Sequence, residues 1–115
     1  MSNYRDRIWL QEYEEIEDPM GTTKEWNDKK RLPCRKCSID AEGQAEFEQI
    51  GYSEVQNYFQ FPYKIDLSLS DNRFREVLRD GSSKYYEIIK PPEYLGAIKP
   101  ITKVYVREVQ EEDGG

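Results

Sequence analysis

The feature that most constrains the fold is a regular alternation of apolar and polar side chains over residues 58–69. Because successive side chains of a strand point to opposite faces, this run predicts one long, half-buried β-strand. Pro62 lies on the outward side and removes one ladder donor, so the first half of the strand should be an edge or carry a bulge. The apolar members all fall on odd positions: Phe59, Phe61, Tyr63, Ile65, Leu67 and Leu69.

Shorter strands are expected over residues 5–13, 32–39, 85–89 and 103–109, each an aromatic or branched run. Turn-forming residues follow the first strand at 18–21 and precede the strand at 85–89, where Asp80 and Gly81 indicate a hairpin. Residues 73–79 read as a charged connecting segment. Val, Ile, Thr, Tyr, Phe and Trp together number 32, whereas Ala, Leu and Met number 11, a balance that favours strands.

These patterns predict an all-β fold, either a small antiparallel β-barrel or a curled sheet. Residues 1–109 form one domain in this prediction, and residues 110–115 form a polar, disordered tail. The alternation also predicts the core, and Leu67→Ala is expected to cost roughly 2–5 kcal/mol. The predicted core residues are Phe61, Ile65, Leu67, Ile88 and Val106.

Residues 40–57 are unusual because they contain five acids and two glycines but no Lys or Arg. A connection of this length is uncommon in a small domain and is usually functional or disordered. We expect one long acidic loop with at most a short helix, mobile in the isolated subunit; in a generic protein it would be a flexible surface segment. Its candidate functional residues are Asp40, Glu42, Glu46, Glu48 and Glu54.

The chain has no recognisable catalytic apparatus. It lacks histidine, the commonest general base, and it contains no GxSxG, P-loop or GxGxxG string. Cys34 and Cys37 have CxxC spacing, but no second pair or histidine completes a tetrahedral metal site. We therefore predict no enzyme activity, no cofactor and no metal, with both cysteines reduced and serving as ordinary strand residues.

Charge and hydropathy limit the functions and locations that we expect for this chain. The net charge of −6 repels a phosphate backbone, so nucleic-acid binding by the whole surface is not expected. An OB-like nucleic-acid binder stays a weaker alternative, since basic and aromatic residues interleave over residues 73–84. No stretch approaches the roughly 20 apolar residues of a membrane span, and the start lacks a signal-peptide layout. A cytosolic chain is expected, unless it leaves the cell inside an assembly.

The aromatic residues predict protein–protein contacts. Nine tyrosines accompany a thin apolar fraction, 40 of 115 residues counting glycine. Tyrosine is enriched where an apolar ring with a polar tip meets a partner, although tyrosines also serve simply as strand formers. Burial against identical neighbours would compensate for the thin core. The candidate interface residues are Trp9, Trp26, Tyr52, Tyr58 and Tyr94.

The layout of residues 4–109 resembles the head closure or head–tail joining proteins of long-tailed bacteriophages and defective prophages. The stretches that carry this resemblance are YRDRIWLQ from Tyr4, DPMG from Asp18 leading to Glu25 and Trp26, LPCR from Leu32, and DG at Asp80 leading to KYYEI from Lys84. The acidic loop and the aromatic strand after it belong to the same layout. The apolar 58–69 segment and the CxxC pair depart from it, which leaves the subfamily open.

The resemblance implies a small β-barrel that forms a homo-oligomeric ring below the portal and adaptor, closes the DNA-filled head and docks the tail. Its partners would be the portal or adaptor above and tail proteins below, with a monomer in isolation also compatible. The long loop would reach into the channel, where its acids would let DNA pass without adhering. The expected location is the virion, and the host cytoplasm during assembly. Another small neck or tail adaptor protein is the alternative.

Overall fold

The computed structural model describes residues 4–110 of the chain, so residues 111–115 of the tail predicted over 110–115 lie outside the described residues. Every strand pairing is antiparallel, which confirms the all-β, curled-sheet prediction. Within the described range there are seven strands and one helix: β1 (Asp6–Asp18), β2 (Gly21–Ser38), α1 (Ala41–Gln49), β3 (Asn57–Phe61), β4 (Asn72–Val77), β5 (Ser83–Ile88), β6 (Glu93–Leu95) and β7 (Ile101–Val109).

The sheet closes on itself. Its strand order is β3-β2-β1-β4-β5-β7-β6, and an additional pairing between β3 and β7 completes the ring. Alternate residues of every strand except β6 face the enclosed space and, with Ile65, form the main core, as the period of two requires. Four of the five predicted core residues are buried there, while Leu67 is half-buried and packs against the cluster. The core residues are Ile8, Leu10, Leu32, Cys34, Phe59, Phe61, Ile65, Phe74, Tyr86, Ile88, Val104 and Val106.

The pairing registers define two ends of this closed sheet. β1, β3 and β5 run in one direction, and β2, β4 and β7 run in the other. The hairpin end comprises the tip of the β1–β2 hairpin and the connections 62–71 and 96–100. The helix end comprises residues 39–56, which include α1, and the turn at 78–82. The predicted turns at 18–21 and 80–83 are confirmed, one at each end.

The single long strand expected over residues 58–69 is wrong in its second half. β3 ends at Phe61, because Pro62 has no N–H to continue the ladder. Thr102 takes over the backbone contacts that follow: its hydroxyl donates to the Tyr63 carbonyl (2.7 Å) and accepts from the Ile65 amide (3.0 Å). Ile65 stays buried without being in a strand. The alternation therefore indicates which side chains face the core, but the hydrogen-bonded strand ends at Phe61, before the alternation does.

Three other elements differ from expectation. The first two strands are longer than the predicted 5–13 and 32–39, because their distal halves are polar on both faces and carry no alternation signal. The charged segment 73–79 is largely strand β4, with Phe74 inside and arginines outside. Strand β6 was not predicted, and its three residues include no buried position.

About half of the predicted acidic loop is helix α1. The Asp40 carboxylate caps its start by accepting from the Gly43 amide at 2.8 Å. Phe47 packs on a second, smaller cluster formed by Ile39, Val55 and Ile89 on the outside of the sheet. The short helix allowed by the prediction is therefore confirmed, and the mobility of this segment in the isolated subunit stays a prediction.

Candidate interaction surfaces

The β1–β2 hairpin projects beyond the closed sheet. β4 pairs with β1 only as far as Glu12, and β3 pairs with β2 only from Arg35 onward. Past these points the two strands pair only with each other, up to a two-residue loop closed by Asp18 and Gly21. A register shift between Leu10 and Gln11 marks a β-bulge at the place where the hairpin leaves the body. The result is a two-stranded ribbon exposed on both sides.

Exposed apolar side chains gather at the hairpin end. Among the described residues, eleven large hydrophobic side chains are exposed, and eight of them lie on the projecting hairpin, on β6 or on the connections at this end. The most exposed are Met20 (95%) and Ile98 (93%). Such crowding marks a surface suited to a protein partner. The eight are Tyr13, Ile16, Met20, Tyr63, Leu69, Tyr94, Leu95 and Ile98.

The outer face of β1, β2, β4 and β5 carries an ordered stack of aromatic rings and a guanidinium. Tyr13 stacks on Trp26 with ring centroids 4.8 Å apart. The Arg73 guanidinium lies 4.6 Å from the Trp26 centroid and 4.3 Å from that of Tyr85. Because each member contacts the next, the side chains have little rotamer freedom left to lose when a partner binds.

A polar network beneath this stack holds it in place. Gln11 is only 5% exposed. Its side-chain Nε2 donates to the Asp28 carboxylate at 2.9 Å, and its side-chain Oε1 accepts from the Arg73 Nε at 2.6 Å. Arg75 donates to both carboxylate oxygens of Asp28, at 3.1 and 2.7 Å. The hydrogen bond from Arg75 keeps the pKa of Asp28 below its usual value. The face is therefore fixed by charge-assisted hydrogen bonds across three strands.

At the helix end, α1 covers a second aromatic group. Phe47 lies 5.0 Å from Tyr105, and Tyr105 lies 5.7 Å from Tyr58, measured between ring centroids. Lys103 sits over Tyr58 and Tyr105, at 4.3 and 4.9 Å from their centroids. Hydrogen bonding to Cys37, together with burial, raises the pKa of Tyr58. These rings anchor the helix to the sheet.

The five acidic candidates all lie at the helix end and are all exposed. Asp40 caps α1, and Glu42 lies in its first turn, where the helix dipole favours a negative charge. Glu54 adopts a left-handed backbone (φ 61°) in the connection to β3. The structure therefore places all five predicted acids at the same end of the sheet, each exposed to solvent. Whether they face a channel stays a prediction.

The five aromatic interface candidates are divided among three places. Trp9 and Trp26 are half-buried on the outer face, each beside an arginine. Tyr52 and Tyr58 flank α1. Tyr94 lies at the hairpin end and donates its hydroxyl hydrogen bond to the Ile65 carbonyl at 3.0 Å. They do not form one continuous surface.

The two cysteines point to opposite sides of β2. Cys34 is fully buried in the core, and burial raises the pKa of its thiol to about 12. Cys37 is half-buried on the outside, next to Tyr58. Positions three apart on a strand face opposite ways, so this pair cannot clamp one ion. Among the described residues, no three His, Cys, Asp or Glu side chains are grouped so that they could hold a metal ion.

Sequence reasoning missed the residues that organise the outer face: Gln11, Tyr13, Arg73, Arg75 and Tyr85. An available signal was the spacing of the two arginines on either side of Phe74, which places both on the outer side of a strand. Burial of Gln11 had no such signal, because it depends on a bulge and on cross-strand partners distant in sequence.

Comparisons with known proteins show a likeness of fold to solved structures. No family model matches the chain, and no curated protein matches it. The solution structure of protein SF1141 from Shigella flexneri 2a is similar, with a TM-score of 0.72 over 97% of this chain and 98% of that one, at 19% identity. This likeness concerns the fold alone. No helix among residues 4–110 is both long enough and apolar enough to cross a membrane.

Proposed function

We propose that this chain is a structural subunit in the neck of a long-tailed bacteriophage or a defective prophage. In this role it forms a ring below the portal and adaptor, closes the DNA-filled head and docks the tail. The ring belongs to the virion, and its subunits are made in the bacterial cytoplasm. The starting point is the resemblance carried by residues 4–109, together with a curled β-sheet of the size that the resemblance implies.

One observation carries the proposal: the exposed apolar side chains are distributed unevenly. Eight of the eleven in the described residues lie at the hairpin end, where the long hairpin also projects. A chain acting alone in solution gains nothing from collecting this surface at one end, whereas a subunit stacked between other proteins buries it. The pattern supports an assembly component that docks through that end.

The opposite end supports the second half of the role. It presents Asp40, Glu42, Glu46, Glu48 and Glu54 to solvent, on a segment that has no Lys or Arg. A segment that carries only negative charge repels phosphate, so DNA could pass it without adhering. The proposed ring therefore contacts proteins through its apolar end and lines a passage with its acidic segment.

The proposal is tested by disrupting the gene in a phage or inducible prophage that carries it. We expect filled heads that leak DNA and lack tails, alongside free tails, with normal particles restored by the wild-type gene in trans. Cryo-electron microscopy of restored particles should place the protein in a ring at the head–tail junction. Normal, infectious particles without the gene would refute the proposal.

Another small neck or tail adaptor protein is the nearest alternative, and the same micrographs separate it. Density in the tail, or above the closure point, would assign the chain to that position instead. Genes for a portal and an adaptor upstream, with tail genes downstream, would support the neck.

An OB-like nucleic-acid binder is favoured only by the aromatic and arginine side chains of the outer face. Two of the arginines near that face already pair with carboxylates, Arg75 with Asp28 and Arg107 with Glu87. A retardation assay with single- and double-stranded DNA at low salt tests this alternative. A shift that is lost on adding salt would support it, since phosphate contacts release counterions.

A further inference from the structure

The projecting hairpin has two unpaired edges. Within residues 4–110, no other strand pairs with β1 beyond Glu12 or with β2 before Arg35. An isolated two-stranded ribbon is marginally stable in water, and unpaired strand edges readily take up another strand. Both edges of this hairpin are therefore available to pair with a further strand.

The backbone groups on these edges point outward. The Tyr13 amide donates to the Asp71 carbonyl (2.8 Å), on the side away from β2. Since amides alternate sides along a strand, those of Glu15 and Glu17 also point away from β2. On β2, the residues opposite these two are Lys24 and Thr22, so their amides point away from β1. Both edges thus offer regularly spaced donors and acceptors.

The two edges carry opposite charge. The free part of β1 has four acids and no base, namely Glu14, Glu15, Glu17 and Asp18. The free part of β2 has two acids, one of which is paired with Arg75 at 2.7 Å. Against these it carries four bases, Lys24, Lys29, Lys30 and Arg31, of which Lys29 already pairs with Glu14 on β1. One edge of the ribbon is therefore complementary to the other edge of a second copy.

We propose that the β2 edge of one subunit pairs with the β1 edge of the next copy, so that the hairpins join into a continuous antiparallel collar. Copies related by rotation keep their strand directions, and β2 runs opposite to β1, so the new pairing is antiparallel. A contact between two different edges propagates around an axis, and it closes into a ring when the rotation between copies divides a full turn. Ile16 and Met20, exposed at the tip, supply apolar surface for the neighbour to cover. This inference rests on the proposed ring function.

Charge reversal in purified full-length protein tests the pairing. Wild type should associate with rising concentration in sedimentation velocity at low salt, and the Thr22, Lys24 and Trp26 amides should become protected from exchange. Glu17→Lys and Lys24→Glu should each weaken association by about tenfold or more, because like charges then face each other. Glu42→Lys and Arg79→Glu, matched reversals of exposed charges at the helix end, should leave association unchanged.

The decisive experiment mixes the Glu17→Lys and Lys24→Glu variants. In a one-to-one mixture each reversed edge meets an opposite charge on the other chain, so association should return. Repulsion within one hairpin would not be relieved by mixing, which separates the contact from a folding defect. The inference is overturned by a mixture that stays dissociated, by single variants that associate as wild type does, or by wild type that remains monomeric to about 1 mM.

No phage particle enters this measurement, so its failure is distinguishable from that of the proposed function. A hairpin that does not pair leaves the neck role standing through other faces. If the protein proves to be absent from the neck, the measured pairing between hairpins still holds.

Discussion

Three polar side chains close the core at the helix end. The Tyr86 hydroxyl donates to Glu76 (2.9 Å) and accepts from the Lys36 ammonium (3.0 Å), and Lys36 lies 3.2 Å from Glu76. Tyr86 is 1% exposed, and its burial, with the Glu76 contact, raises the pKa of its hydroxyl. The phenol therefore stays protonated and can donate throughout the physiological range.

Tyr86→Phe should lower the free energy of unfolding by about 1.5–3 kcal/mol, the usual net value of hydrogen bonds to charged groups. The ring still fills its site, so only the hydroxyl contacts are lost. Urea unfolding followed by circular dichroism measures the change. Tyr63→Phe, at a 40% exposed ring, is the matched control and should have almost no effect. Equal stability of Tyr86→Phe and wild type would show that the cluster contributes nothing.

Asp28 makes the stability of the outer face depend on pH. Its pKa in the fold is lowered by the hydrogen bond from Arg75, below the unfolded value of about 3.9. A lowered pKa gives stability that is present above about pH 4 and is lost as the pH falls through the folded pKa. Asp28→Asn should therefore be less stable than wild type near pH 7, and the gap should narrow near pH 3. A gap that is constant with pH would contradict the pairing.

At the scale of elements, residues 57–69 reveal what a sequence pattern encodes. The six alternations correctly separate core-facing from solvent-facing side chains at Phe59, Phe61 and Ile65. They do not encode which backbone amides find a ladder partner, and after Pro62 the side chain of Thr102 takes that place. Tyr63 and Leu69, at 40% and 47% exposure, continue the pattern without continuing the burial.

Phe61→Ala and Leu67→Ala should differ in cost for this reason. Phe61 is fully buried in β3, so its truncation should cost about 3–5 kcal/mol. Leu67 is half-buried outside any strand, so its cost should fall to about 1 kcal/mol, below the 2–5 kcal/mol expected from a strand position. Denaturant unfolding of both variants measures the difference. Equal losses would mean that Leu67 belongs to the core after all.

Whether the other elements could be predicted depends on how close in sequence the residues that determine them lie. Asp80 and Gly81 form a turn whose chemistry lies within four residues, and it was predictable. β4 was not, because its inner position Glu76 is polar and is satisfied by Tyr86, ten residues away in the chain. The projecting half of the hairpin was missed because a ribbon with two solvated faces has no apolar period.

At the scale of the whole molecule, the two ends differ in chemistry. The hairpin end collects exposed apolar side chains, whereas the helix end carries the five exposed acids and the hydrogen bond between Tyr86 and Glu76. The identity and exposure of the acidic candidates could be predicted from composition alone. The division of the aromatic candidates among three places could not, because it depends on register and on the bulge at Leu10.

The acidic surface gives the prediction that bears most directly on function. Changing Glu42, Glu46, Glu48 and Glu54 to Lys should leave folding nearly intact, because exposed charges contribute little to stability. Asp40 is left unchanged, since it caps α1 and its loss would cost about 1 kcal/mol. Melting curves and circular dichroism of the purified variant measure this first step.

In assembled particles the same variant should impair DNA retention or ejection, because a basic lining would hold phosphate in the passage. A matched variant with Glu12, Glu15, Glu17 and Glu25 changed to Gln removes four acids from the hairpin instead. In particles that still contain the ring, it should leave DNA passage unchanged, because those side chains lie at the other end. Packaging and ejection are measured by nuclease protection of packaged DNA and by DNA release on triggering. If particles carrying the lysine variant package, seal and eject as wild type does, the acidic segment does not line the channel, and the proposed function loses its mechanistic support at that end.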